Sequence, residues 1–104
     1  GALAFSGAVF AAPAAPAPRD DTGLEWLEAS ARDRTESLAR SMYALQQYGV
    51  TLERSPLEYY DDVHEWLRAH PADTGTALTR VLAETVYQKE PAQRGALERS
   101  GFKP

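Results

Sequence analysis

The sequence predicts an all-α protein: a bundle of three or four helices, or a long helix braced by a helical hairpin, preceded by an extended N-terminal arm. Three observations carry this expectation. Apolar residues recur at three- and four-residue steps through most of residues 22–90. Two capping-box patterns, Thr22-Gly23-Leu24-Glu25 and Ser55-Pro56-Leu57-Glu58, open two of these runs. No alternating run is long enough for a paired strand; the nearest, Gly49-Val50-Thr51-Leu52, has nothing to pair with.

Residues 22–48 read as one helix, roughly 40 Å long at 1.5 Å per residue. The Thr22 hydroxyl is placed to accept from the N3 amide while Glu25 reaches back, and Asp20 and Asp21 add negative charge beside the same N-terminus. Leu24, Leu27, Ala31, Leu38, Leu45 and Tyr48 form a stripe, flanked by Trp26 and Met42 and interrupted by Arg34 and Ser41. Glu28–Arg32 and Glu36–Arg40 are spaced as i,i+4 pairs on the outer face, and Gly49 is a good stop.

The second helix, 55–70, has the sharpest start: a capping hydroxyl, then Pro at the first helical position, then Glu at N3. Tyr59, Tyr60, Val63, Trp66 and Leu67 make its apolar face, and His70-Pro71 ends it because the residue before Pro leaves the helical region. Asp73 or Thr74 is placed to cap a third helix, 74–90, lined by Ala77, Leu78, Val81, Leu82, Thr85 and Val86. Pro91 opens a short fourth helix, 91–99, before a loose end. Trp26, Leu38, Leu45, Val63, Leu67, Leu78 and Leu82 are the expected core. Ile is absent and much of the apolar content is Ala, so the core is expected to be thin and to complete itself against something else. The aromatic group Trp26, Tyr43, Tyr48, Tyr59, Tyr60, Trp66 and Tyr87 divides between this core and exposed hot spots. Tyr59 or Tyr60 must point away from the core, since helix neighbours are about 100° apart.

Residues 1–21 read as an extended Ala/Pro-rich arm. The first eighteen residues carry no charge, whereas the remaining 86 carry 26 charges. Leu3 to Ala12 has the character of a signal h-region, and the Ala-Ala-Pro-Ala-Ala-Pro-Ala tract offers small residues for cleavage, but a basic n-region is missing. The apolar run is too short to span a bilayer, which takes about 20 residues. Pro13, Pro16 and Pro18 favour polyproline-like backbone. The composition leaves two readings: a leader left over from targeting, or an arm laid along a partner with Leu3, Phe5, Val9 and Phe10 as anchors. The compartment is not readable; the leader-like segment slightly favours organelle import or export.

Net charge is −4, with an acidic middle (six acids and two bases over 50–75) and a mildly basic end (three acids and five bases over 76–104). A duplex nucleic-acid binder needs a dense basic face, which this pattern does not supply. There is no Cys, so thiolate metal sites and disulfides are excluded. His64-Glu65-Trp66-Leu67-Arg68 begins like the zincin motif HExxH but has Arg where the second His belongs. Glu58, Asp61, Asp62 and Glu65 place carboxylates along one side of the second helix, a solvated face or a site for a cation or basic partner. No phosphate loop and no nucleophile elbow occurs. The chain is therefore expected to be non-catalytic, without a cofactor or metal. Its expected role is an accessory subunit binding other protein subunits of a larger assembly, organellar or membrane-associated complexes included, with no transmembrane span of its own. The expected contact residues are Leu3, Phe5, Val9, Phe10, Tyr59 and Tyr60. The alternative is an independent helical module, secreted or attached to a membrane protein, that recognises a peptide or ligand.

Overall fold

The computed structural model describes residues 20–104. They fold into five α-helices, α1 (Gly23–Glu28), α2 (Ala31–Gln47), α3 (Pro56–Ala69), α4 (Leu78–Lys89) and α5 (Arg94–Arg99), with 3-10 turns at Pro71–Asp73 and Pro91–Gln93. The all-α expectation holds. Central to the packing is α4, which lies against α2 and α3 and is touched by α1 and α5.

The expected single helix over 22–48 is two. Both capping boxes form: Thr22 and Ser55 each accept from the N3 amide, while Glu25 and Glu58 accept from the cap amides. A further cap interrupts the first run. Ser30 adopts extended backbone and its hydroxyl accepts from the Asp33 amide at 3.1 Å, starting α2 afresh. The break is held by Arg34. Its guanidinium donates to the carbonyls of Trp26, at 3.0 Å, and Leu27, two of the orphan acceptors at the end of α1, and the Trp26 indole Nε1 donates back to the Arg34 carbonyl at 2.9 Å. Arg34 therefore interrupts the apolar stripe for a reason: it ties α1 to the first turn of α2. Arg32 and Glu36 form an ion pair on this outer face, at 3.4 Å.

The start of α4 also differs from expectation. Its cap position is Ala77, which has no side-chain acceptor, and neither Asp73 nor Thr74 caps it. The orphan donors are met from far away in sequence. The Leu78 amide donates to the Asp21 carbonyl at 2.7 Å, and the Thr79 amide and hydroxyl donate to the Asp20 carboxylate at 3.2 and 3.0 Å. In return, the Gly23 and Leu24 amides of α1 donate to the carbonyls of Thr76 and Thr74 at 2.9 and 2.8 Å. Asp20 thus serves the N-terminus of α4, while the Asp21 carboxylate accepts from the buried Ser37 hydroxyl of α2 at 2.8 Å.

All seven expected core residues are buried, joined by Val50, Tyr59, Val81, Ala83, Val86, Ala96 and Leu97. Trp26, Tyr59, Val63, Leu78, Val81, Leu82, Val86 and Leu97 have no exposed surface. The core closes on itself within residues 20–104 and is fuller than the composition led one to expect. Aromatic rings and short helices drawn from Trp26 to Leu97 compensate for the missing Ile. Leu24 and Tyr48, placed by their spacing on the inner stripe, are instead about half exposed (48% and 50%): the break at Ala29 and Ser30 takes Leu24 out of register with α2, and Tyr48 is the C-cap residue where α2 ends.

Candidate functional site

The most distinctive surface follows from an inversion along α2. Its inward face carries Ser37 and Ser41 beside Leu38 and Leu45. The Ser41 hydroxyl accepts from Thr79 on α4 at 2.9 Å. Its outward face carries Thr35, Ala39, Met42, Tyr43 and Gln46, which with Leu38 are spaced 35, 38, 39, 42, 43, 46, a stripe at helical period. The first turn of α3 lies alongside and adds Pro56, Leu57 and Tyr60, leaving an open groove of about 530 Å³. That volume is in the range that receives a drug-sized ligand or a few large side chains. No lining residue is charged, in a chain where a quarter of residues are.

Each wall is fixed from behind. Pro56 and Leu57 occupy the first two helical positions of α3, held by the Ser55–Glu58 capping box. Leu57 is 69% exposed and Tyr43 63%, the most exposed large apolar side chains among the described residues. Tyr60 packs its ring on Trp26, with centroids 4.9 Å apart, and receives a bond from the Arg34 guanidinium at 3.4 Å. Half-buried, it forms the floor at one end. A second depression of about 520 Å³ continues around α2, lined by Ala39, Arg40, Tyr43, Ala44, Gln47 and Tyr48. The two share Ala39 and Tyr43, so the Tyr43 ring is a ridge between adjoining apolar hollows.

Of the contact residues expected from sequence, the structure separates the neighbouring tyrosines. Tyr60 reaches the groove. Tyr59 does not: it is wholly buried, donating to Glu90 at 3.2 Å and accepting from the Arg54 amide at 3.2 Å, with the Arg54 guanidinium 4.8 Å from its ring centroid. Burial pushes its phenol above the ordinary tyrosine value. Tyr59 is a core residue, buried and so not available as the contact residue expected from sequence. Leu3, Phe5, Val9 and Phe10 lie outside the described residues. Thr35, Ala39, Gln46 and Leu57 escaped sequence reasoning, although the 35–46 spacing was there to be found as a second stripe next to the inner one.

The acidic side of α3 is divided among structural tasks. Asp62 is buried and takes bonds from Arg54 and, at 2.8 Å, from Lys89 on α4. Glu58 belongs to a cap, where bonds from the Ser55 amide and hydroxyl hold its carboxyl below the usual glutamate range. Glu65 lies 3.6 Å from Lys89. Among the described residues no three His, Asp or Glu side chains converge on a common point. His70 stacks on Trp66 at 4.1 Å and donates from Nδ1 to the Trp66 carbonyl at 2.8 Å, while His64 lies against Trp26. No described helix is long and apolar enough to cross a membrane. Comparison with protein-family models, curated proteins and solved structures finds no match to this chain.

Proposed function

We propose that the chain is a non-catalytic accessory subunit that works by binding, its α2–α3 groove seating an uncharged apolar segment of a neighbouring protein. The observation that supports this is the outward face of α2. Beside the charged outer side of α2, formed by Arg32, Asp33, Glu36 and Arg40, runs an uncharged flank of exposed Ala39 and Tyr43 and half-buried Met42, while two serines stand inside. Tyr is enriched among residues that dominate interface energies, and a large exposed Leu beside it supplies a second anchor. The uncharged lining selects a partner by shape and apolar area, so the contact is expected to be insensitive to salt.

A second reading, an independent helical module that recognises a peptide, is favoured by the continuous buried core of residues 20–104. Both readings use the same groove, and one experiment bears on both. A photo-crosslinking residue is placed at position 43 or 57, or at the exposed position 32 as a control, in chain expressed in its native cell. The expected result is a discrete adduct from 43 and 57 but not from 32, mapping to an uncharged stretch of one protein. An identical set of adducts from all three positions, or none from 43 and 57, overturns the proposal. A stable, stoichiometric assembly identifies the subunit; a transient adduct identifies the module.

A further inference from the structure

We infer, resting on the reading of the groove as a binding site, that its occupant is a partner segment of extended, polyproline-like backbone, and that the Tyr60 hydroxyl selects it by donating to one of its free backbone carbonyls.

The polar groups of the lining point to this. The Tyr60 hydroxyl oxygen accepts from Arg34, and among the described residues nothing accepts its own hydrogen. Arg34 has no carboxylate partner among them either: its guanidinium donates to the carbonyls of Trp26 and Leu27 and to Tyr60. A phenol that accepts from a cation is polarised into a stronger donor. What Tyr60 offers the groove is therefore one neutral but polarised O–H, and its complement is a single acceptor such as a carbonyl oxygen. Gln46 makes no hydrogen bond among the described residues, and neither does Tyr43 on the ridge. Thr35 is the exception, its hydroxyl donating to the Ala31 carbonyl at 3.0 Å. The groove thus holds uncharged donors without acceptors, with apolar surface between them.

Backbone geometry follows from where free carbonyls exist. Inside an α-helix each carbonyl accepts from the amide four residues on, and only the last turn is left unpaired. Polyproline II has no internal hydrogen bonds, so all its carbonyls are free. A β-strand would need a sheet edge to pair with, and no described residue belongs to a strand. Aromatic-lined grooves take polyproline II segments, and Tyr43, Tyr60, Pro56 and Leu57 supply such a lining here. Length agrees as well. Thr35, which follows the Arg34 that holds Tyr60, is eleven residues from Gln46 on α2, about 16 Å at 1.5 Å per residue. Five residues of polyproline II cover about 16 Å at 3.1 Å each.

Two blocked, uncharged peptides test this on the intact, isotope-labelled chain: a five-residue Leu/Pro peptide, which is extended, and a peptide of equal Leu content locked as a helix by α-aminoisobutyrate. The extended peptide should shift the Met42, Tyr43 and Leu57 amides, and Leu57→Asp, at an exposed position, should abolish those shifts. Tyr60→Phe keeps the ring that packs on Trp26 and should weaken the extended peptide about 5–10-fold, the effect of one hydrogen bond. The helical peptide should bind more weakly and be indifferent to Tyr60→Phe. Equal or tighter binding of the helical peptide overturns the inference. So does Tyr60→Phe acting on both peptides alike or on neither, and so does the lack of groove shifts from both peptides. The inference and the binding role fail separately. Partner adducts from positions 43 and 57 together with a preference for the helical peptide leave the binding role standing and remove the extended backbone. Tyr60-dependent binding of the extended peptide without adducts keeps the chemistry of the groove and removes the partner protein.

Discussion

Single side chains decide how the body is held together, and Gly23 is the tightest case. It begins α1 with its Cα facing α3, where an added Cβ would lie 2.4 Å from a Leu67 methyl and 3.3 Å from the Thr74 carbonyl oxygen. Leu67 is itself buried, so its methyl can move only by repacking its neighbours. Gly23→Ala should therefore destabilise the fold by about 1–3 kcal/mol, the range for overpacking, measured as a shift in urea midpoint with unchanged slope. Arg34 is the second. Replacing it with Leu removes the donors to the Trp26 and Leu27 carbonyls while keeping apolar bulk, and should cost about 1.5–3 kcal/mol, the range for bonds involving a charged group. Hydrogen exchange should show the loss first in α1. Both residues explain where the sequence was opaque. The interruption of the stripe at Arg34 was visible, but only the fold reveals that the guanidinium faces inward onto carbonyls.

Among the elements, helix termini carry most of the information about topology. The Thr22 and Ser55 caps were legible because both partners of each box lie within four residues. The Ser30 cap had the same kind of local signature, Ser three residues before Asp, and was hidden by the apolar periodicity running across it. The cap of α4 was not legible at all, because Asp20 is 59 residues from Thr79. Asp20→Ala should destabilise the start of α4 by about 1 kcal/mol, the usual value of a lost cap. Ser30→Ala should cost a similar amount at the start of α2, leaving Thr79 unaffected. Comparing the two by thermal unfolding and by amide shifts near Thr79 separates a remote cap from an ordinary one. The groove was half legible: Tyr60 and the outer α2 spacing are in the sequence, but which of two adjacent stripes faces water depends on how α4 packs.

At the scale of the whole molecule, α3 and α4 are joined by a network in which Arg54 contacts Asp62 and Glu90, and Lys89 contacts Asp62. Its pH response follows from the direction of the shifts. The hydrogen bond to Asp62 holds Lys89 above the ordinary lysine value, burial holds Tyr59 above the ordinary tyrosine value, and the bond to Glu98 does the same for Tyr87. A group whose folded pKa is raised contributes stability in full below its unfolded value and loses it as pH rises through the folded one. Urea midpoints should therefore hold steady through neutral pH and fall above about pH 10, where the free side chains titrate, and Tyr59→Phe should blunt the alkaline fall. Glu58 has the opposite sign: its depressed pKa contributes stability above the ordinary glutamate value that is lost as pH drops through the folded one.

The account as a whole turns on one claim, that Tyr43 and Leu57 belong to a recognition surface and not to the core. The most direct test is the unfolding free energy of Tyr43→Ser combined with Leu57→Ser, measured in urea against the unsubstituted chain. The expected change is within about 0.5 kcal/mol, as for surface positions free of special contacts. A loss of about 2 kcal/mol or more, the scale of core truncations, would place these side chains in the fold's own interior and contradict the claim.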